Sequence, residues 1–209
     1  MQIARPAAAL LCCLALTTPA LGQHASHSGA HDQGQGQMHG MQHGSMKSSP
    51  EAAKAEFDHQ FIDTMAIHHQ SAVEMAQLVE KRSGRAELKQ MAKKVIDDQQ
   101  TEIKQLREWK QQWYAGRGDA VNMKMPGMAE SMKNMSMDKL SAANGKAFDA
   151  MFIDMMTRHH RGAVKMAQDA MGKLKHDELK NLARNVIDTQ KQEIDQMAAW
   201  KKEWKLASR

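Results

Sequence analysis

From Phe57 to Val79 apolar residues recur every three or four positions. Phe57, Phe61, Met65, Ala72, Met75 and Val79 share one helical stripe, with His68 inside it and His69 and Ala76 on its flank. A second stripe, Leu88, Met91, Ala92, Val95, Leu106, Trp109 and Trp113, holds two polar members, Gln99 and Glu102. Ser49-Pro50-Glu51 reads as a helix start, with serine as cap and proline in the first turn. The pattern predicts helices over 50–81 and 85–113, broken at Ser83-Gly84. The stretch 115–144 contains Gly116, Gly118, Pro126 and Gly127 and reads as a long crossover. Helical character returns over 145–174, turns near Lys175-His176 and runs from Asp177 to about residue 205.

The two halves repeat each other at a constant offset of 91 residues, with Phe57–Ala76 matching Phe148–Ala167 at twelve of twenty positions. The 26 residues from Leu88 match those from Leu179 at thirteen. An offset that survives the turn makes each half one helical hairpin. Neither hairpin can bury its apolar stripe alone, so the expected fold is all-α, a four-helix bundle of two duplicated hairpins joined by a long crossover. The expected division is a bundle over 50–209, made of repeat one 50–114, crossover 115–144 and repeat two 145–209.

If the first two helices meet around a turn near residue 83, His68 lies beside Gln99 and Met65 beside Glu102. The second hairpin repeats the layer with His159, Gln190, Met156 and Glu193, while Asp63 falls nearly opposite and is no ligand of the same site. Buried polar groups are costly unless hydrogen-bonded or bound to metal, so this layer needs a reason. One reason is a self-satisfied hydrogen-bond network with methionine as core filler. The other is a metal: M-x-x-H-H-x(5)-M occurs twice, placing Met65, His68, His69 and Met75, then Met156, His159, His160 and Met166, along one side of a helix.

The N-terminal 22 residues, MQIARPAAALLCCLALTTPALG, join one early arginine to a short apolar run and a small-x-small end, and are read as a secretory signal peptide. Both cysteines of the chain, Cys12 and Cys13, lie within it, which excludes disulfides and thiolate metal sites from the mature protein. The formal net charge is +5, and its acidic and basic residues alternate along the helices. No basic block, aromatic stacking set or glycine-rich phosphate loop points to nucleic acid or nucleotides, and the mature chain has no candidate membrane span. No nucleophile–base constellation and no HExxH motif is present, so a non-enzymatic protein is expected.

The unusual composition is 19 methionines and 11 histidines. Residues 23–49 are of low complexity, with no apolar period, and are expected to be disordered without a ligand. Within them MHGMQHGSM interleaves Met38, Met41 and Met46 with His39 and His43, and the crossover segment NMKMPGMAESMKNMSM adds Met123, Met125 and Met128 among six methionines. A hydrophobic core does not explain methionines in flexible polar segments, although part of 130–137 is a candidate short helix docking on the bundle. Thioether clusters suit Cu(I) and Ag(I), and added imidazole suits Cu(II).

The duplicated F-I-D-x-M-x-x-H-H-x-x-A-V-x-M-A motif, the MPGM segment before its second copy and the paired tryptophan ends resemble the bacterial family catalogued as domain of unknown function three-hundred-and-five. The resemblance covers nearly everything from Phe57 to Trp204. It implies a ferritin-like four-helix bundle in a secreted protein, and the family includes periplasmic copper-binding proteins of the CopM type that use methionine and histidine. By matching position, it implies Met65, His68, His69, Met75, Met156, His159, His160 and Met166 as ligand candidates. His59 in the first copy is Ala150 in the second, which implies unequal halves. The expected function is periplasmic copper binding for tolerance or delivery, with Cu(I) favoured and Cu(II) and silver as further candidates. Periplasmic copper-efflux or oxidase proteins are candidate partners. The alternatives are a dimetal oxidase using Glu102, Glu193, His68 and His159, and a scaffold bundle with a structural His/Glu layer.

Overall fold

The structure is a computed structural model that describes residues 47–207. The signal peptide 1–22, and Met38, His39, Met41, His43 and Met46, lie outside the described residues. The described chain is all-α: α1 Phe57–Gln77, α2 Val79–Arg82, α3 Ala86–Trp113, α4 Met128–Met132, α5 Met137–Ala142, α6 Gly145–Ala170 and α7 Asp177–Glu203. Helices α1 and α3 form one hairpin and α6 and α7 the other; α1 and α6 pack together in the middle, with α4 against α6. At 1.5 Å per residue α3 is about 42 Å long. Among the described residues no helix is long and apolar enough to cross a membrane.

Local chemistry explains the elements. Helices α3 and α7 put charged residues outward, and α3 laces them with i,i+4 pairs such as Lys93–Asp97, 2.7 Å apart. Asp177 and Glu178 open α7 and Lys201 and Lys202 close it, each charge set against the helix dipole. The repeated aspartates point away from the histidine layer and tie each hairpin together. Asp63 meets Lys110 at 2.9 Å, and Asp154 meets Lys201, the second pair lying one repeat offset along the chain from the first.

The helix expected from Ser49-Pro50 starts later. Residues 52–54 form a 3₁₀ turn and α1 begins at Phe57. Ser49 is committed to the crossover instead: its N–H donates to the Val121 carbonyl at 2.8 Å, and its hydroxyl accepts from the Val121 N–H at 3.1 Å.

The crossover is also different from a flexible polar segment. It carries α4 and α5, and it is bound to α1 by Ala120 N–H donating to Asp63 at 2.7 Å and Asn122 N–H donating to Thr64 at 2.9 Å. Gly127, in the left-handed region at φ +93°, meets Gly162 of α6 so closely that a Cβ on Gly127 would lie 2.1 Å from the Gly162 carbonyl oxygen. Only two glycines permit that approach, and it seats Met125 and Met128 in the core. These methionines are core members, and Met123 packs partly buried against them.

The core has two parts. One gathers Met65, Met166, Met125 and Met128 with Phe61, Leu106 and Tyr114. The other gathers Met75, Met156, Phe148, Phe152 and Leu88. Along α1 the order is Met65, the histidine pair, Met75; along α6 it is Met156, the histidine pair, Met166. The two helices therefore run antiparallel, and the four histidines form a layer with thioethers above and below. Burying each methionine or phenylalanine contributes about 1.5–3 kcal/mol, which offsets the cost of the polar layer.

Candidate metal centre

Adjacent residues on a helix point about 100° apart, so each histidine pair divides its work. His68 and His159 face each other across the α1–α6 contact, with ring centroids 3.7 Å apart and planes at 34°. His69 and His160 turn instead to the outer helices, where their Nε2 atoms lie 2.7 Å from Glu102 and 2.8 Å from Glu193. All four rings are fully buried. The expected levels are thereby corrected. It is His69, not His68, that reaches α3, and it meets Glu102, which the expected register sets beside Met65. The α1 ladder stops at Gln77 and a separate turn, α2, precedes Ser83, so the hairpin closes later than a tight turn at 83 allows.

The inner pair is held by two hydroxyls. His159 Nε2 lies 2.7 Å from Ser71 Oγ on α1. His68 Nε2 lies 2.9 Å from Ser131 Oγ, contributed by α4 of the crossover. Ser71 and Gly162 occupy equivalent positions in the two repeats, and a Cβ at Gly162 would sit 1.6 Å from Ser131 Oγ. Ser131 thus fills the space that a side chain at 162 would take. Sequence reasoning missed Ser71 and Ser131; the Ser71/Gly162 mismatch inside an otherwise matching motif was the available signal.

Burial pushes the His68 and His159 imidazoles well below the usual histidine range, with the surrounding histidines adding to the effect. Both are neutral rings with a lone pair to offer. The Nδ1 atoms of His68, His69, His159 and His160 are buried and have no hydrogen-bond partner. The Glu102 and Glu193 contacts are close but off the line an N–H would need, so Nε2 of His69 and His160 is also without a hydrogen bond.

Among the described residues no three or more His, Cys, Asp or Glu side chains converge to hold a metal. An ion in this layer would need thioether donors or a low coordination number. That condition fits soft monovalent ions and does not fit a carboxylate-bridged dimetal centre. His59 lies outside the layer. It stacks on Tyr114 at 4.5 Å with its Nε2 3.2 Å from Asp63, while Glu56 pairs with Arg117 at 3.6 Å, so Glu56-x-x-His59 supplies no central ligands.

A groove of about 540 Å³ separates α3 from α7 and leads from solvent towards the layer. Glu102, Glu193, Gln99 and Gln190 line it, and the side-chain carbonyl oxygens of both glutamines are buried without a partner.

Comparison with known proteins places these features in context. No curated protein matches the chain. CopM in its Cu(I)-bound form is 34% identical, with a TM-score of 0.60, covering 70% of this chain and 96% of CopM. CopM in a Cu(II)-bound form matches at 34% identity and a TM-score of 0.59, over 70% of this chain and 98% of CopM. A Streptomyces coelicolor protein described as secreted is 30% identical, with a TM-score of 0.64, over 74% of this chain and 97% of its own. The family profile described as Domain of unknown function (DUF305) matches residues 12–110 and 58–201. The duplicated motif, the all-α bundle and these matches together make the chain a member of the DUF305 family.

Proposed function

We propose that this is an exported, periplasmic copper-binding protein that holds Cu(I) through histidine and methionine, takes Ag(I) by the same chemistry, and serves metal tolerance or delivery without catalysing a reaction. The observation that carries this reading is the buried layer itself: four imidazoles with unpartnered Nδ1 atoms, placed between two methionine-containing cores. A protein does not retain unpaired buried nitrogens without cost. Neutral imidazole and thioether are the donors that Cu(I) and Ag(I) prefer. CopM, which binds Cu(I), Cu(II) and silver in its solved structures, supports extending that chemistry to this chain. The groove between α3 and α7 supplies an acidic approach for a cation. The N-terminal methionines and histidines, Met38, His39, Met41, His43 and Met46, would add capture sites outside the bundle.

One observation favours a second reading, a structural polar layer. His69 and His160 each lie against a carboxylate, and His68 and His159 each lie against a hydroxyl. Metal content per chain, with Cu(I), Cu(II), Ag(I) and Fe(II) offered separately, decides between them. The full chain is compared with His68→Ala/His159→Ala and with His39→Ala/His43→Ala. Loss of one copper or silver equivalent in the first variant alone supports the bundle centre. Unchanged stoichiometry in that variant, with loss in the second, assigns the metal to the N-terminal segment and the layer to structure.

A further inference from the structure

The direction of the hydrogen bonds around the inner pair determines which nitrogen of each ring is free. The Ser71 hydroxyl donates to the His68 carbonyl at 2.8 Å. The Ser131 hydroxyl donates to the Gly127 carbonyl at 2.8 Å, with the His159 carbonyl further away at 3.4 Å. A hydroxyl has one proton. With that proton committed to a backbone carbonyl, each serine oxygen faces its histidine as an acceptor. The hydrogen on the 2.7 Å contact between Ser71 and His159, and on the 2.9 Å contact between Ser131 and His68, must then come from Nε2. A neutral imidazole with hydrogen on Nε2 carries its lone pair on Nδ1. Both Nδ1 atoms are buried and without a partner.

We infer that Ser71 and Ser131 lock His159 and His68 as their Nε2–H tautomers and thereby make the two Nδ1 atoms the metal donors of the layer; this rests on the copper-binding reading above. Outer partners that fix the tautomer and ring orientation of a metal-binding histidine are a general device. Its construction here is asymmetric. Repeat one supplies its serine from the helix itself, at position 71. Repeat two has Gly162 there, and Ser131 reaches in from the crossover through the gap that the glycine leaves. Two unequal halves present chemically equivalent imidazoles. The crossover is in this way part of the centre, and Ser131 is a positioning residue acting through His68.

The test is long-range ¹H–¹⁵N NMR on the full chain with ¹⁵N-labelled histidine, first without metal and then with one equivalent of Ag(I), whose spin-½ nuclei couple to a bonded nitrogen. Without metal, His68 and His159 should both give the pattern of the Nε2–H tautomer. Ser131→Ala should perturb the tautomer pattern of His68 and leave His159 unchanged, and Ser71→Ala should do the reverse. With silver, the coupling should appear on Nδ1 of both rings, and either serine variant should weaken silver binding by about 10-fold or more. An Nδ1–H pattern in either ring, or silver coupling on Nε2, overturns the inference while leaving copper binding intact. Silver that couples to none of the four layer imidazoles overturns the bundle centre and the donor assignment together. The metal-free spectra of the serine variants still decide whether the hydroxyls set the tautomers.

Discussion

Asp58, at the start of α1, holds His176, in the turn between α6 and α7: the Asp58 carboxylate accepts from the His176 N–H at 3.0 Å, and its Oδ2 lies 2.6 Å from the ring Nδ1. The same carboxylate accepts from the Lys175 N–H at 3.1 Å, and the His176 ring stacks on Trp113 at 3.8 Å. The equivalent positions of the other repeat do the same with different chemistry. Asp149 meets Arg85 Nε at 3.2 Å, and the Arg85 guanidinium lies 4.0 Å from the centre of the Trp204 ring. Each hairpin turn is therefore gripped by an aspartate and a tryptophan, both from the opposite hairpin.

This arrangement ranks two substitutions. Asp58 is 2% exposed and takes hydrogen bonds from two backbone N–H groups as well as the ring, whereas Asp149, equally buried, has the arginine alone. Asp58→Asn should cost about 1–3 kcal/mol, and Asp149→Asn less. Urea denaturation of the metal-free protein at neutral pH measures both. An equal loss in the two variants would mean that the backbone donors at 175 and 176 contribute nothing measurable.

The helices and the duplication were legible in the sequence because helical periodicity and a constant offset are local properties. The histidine pairs were legible as inward-facing for the same reason. The partner of each ring was not. His68 meets Ser131 across 63 residues of chain, through a gap created by a glycine in the other repeat, and no periodicity encodes that. The level of His69 against Glu102 depended on how α1 ends, where Leu78 departs from the regular ladder without any glycine or proline to mark it. Met125 and Met128 looked like polar-segment methionines because the approach of Gly127 to Gly162, which buries them, is a tertiary contact between two residues that each read only as permissive.

The stability of the metal-free protein should fall as the medium becomes mildly acidic. Burial holds His68 and His159 well below the ordinary value of 6.5, so below that pH the unfolded chain takes up protons that the native state refuses. Their neutral burial thus costs nothing in proton uptake above pH 6.5 and becomes a growing penalty as pH falls beneath it. The slope is about 1.4 kcal/mol per pH unit for one such histidine and about 2.7 for two. Denaturant midpoints at pH 7.5, 6.5 and 5.5 read this directly. A flat profile over that range would mean that the rings are protonated in the native state or that the pair is accessible to water.

Glu102 and Glu193 make the same contact in the two hairpins but differ in shielding: their side chains are 19% and 9% exposed. Removing the charge from the better buried one leaves its ring with less compensation from solvent. Glu193→Gln should therefore destabilise by about 1 kcal/mol and Glu102→Gln by less, as the loss of a close electrostatic contact and not of a hydrogen bond. Thermal unfolding of the two variants side by side tests the order. The reverse order would mean that burial does not set the cost of these contacts, because Lys94, 3.9 Å from Glu193, can only add to the loss at that carboxylate.

Gly162→Ala tests the docking of the crossover on α6. A methyl group there would lie 1.6 Å from Ser131 Oγ and 2.6 Å from the Gly127 carbonyl oxygen. The serine can rotate away, but the carbonyl belongs to a backbone held at positive φ by the facing glycine contact, and it cannot retreat without moving Met125 and Met128 out of the core. The cost should be at the upper end of overpacking, about 3 kcal/mol. Gly172→Ala, where nothing lies within 4 Å of the added methyl, is the control and should change stability by less than about 1 kcal/mol. Rotation of Ser131 also removes the acceptor from His68 Nε2, so the alanine at 162 should change the tautomer pattern of His68 while that of His159, set by Ser71, is kept. If Gly162→Ala is as mild as Gly172→Ala, the crossover yields easily at this point and does not hold Ser131 against His68.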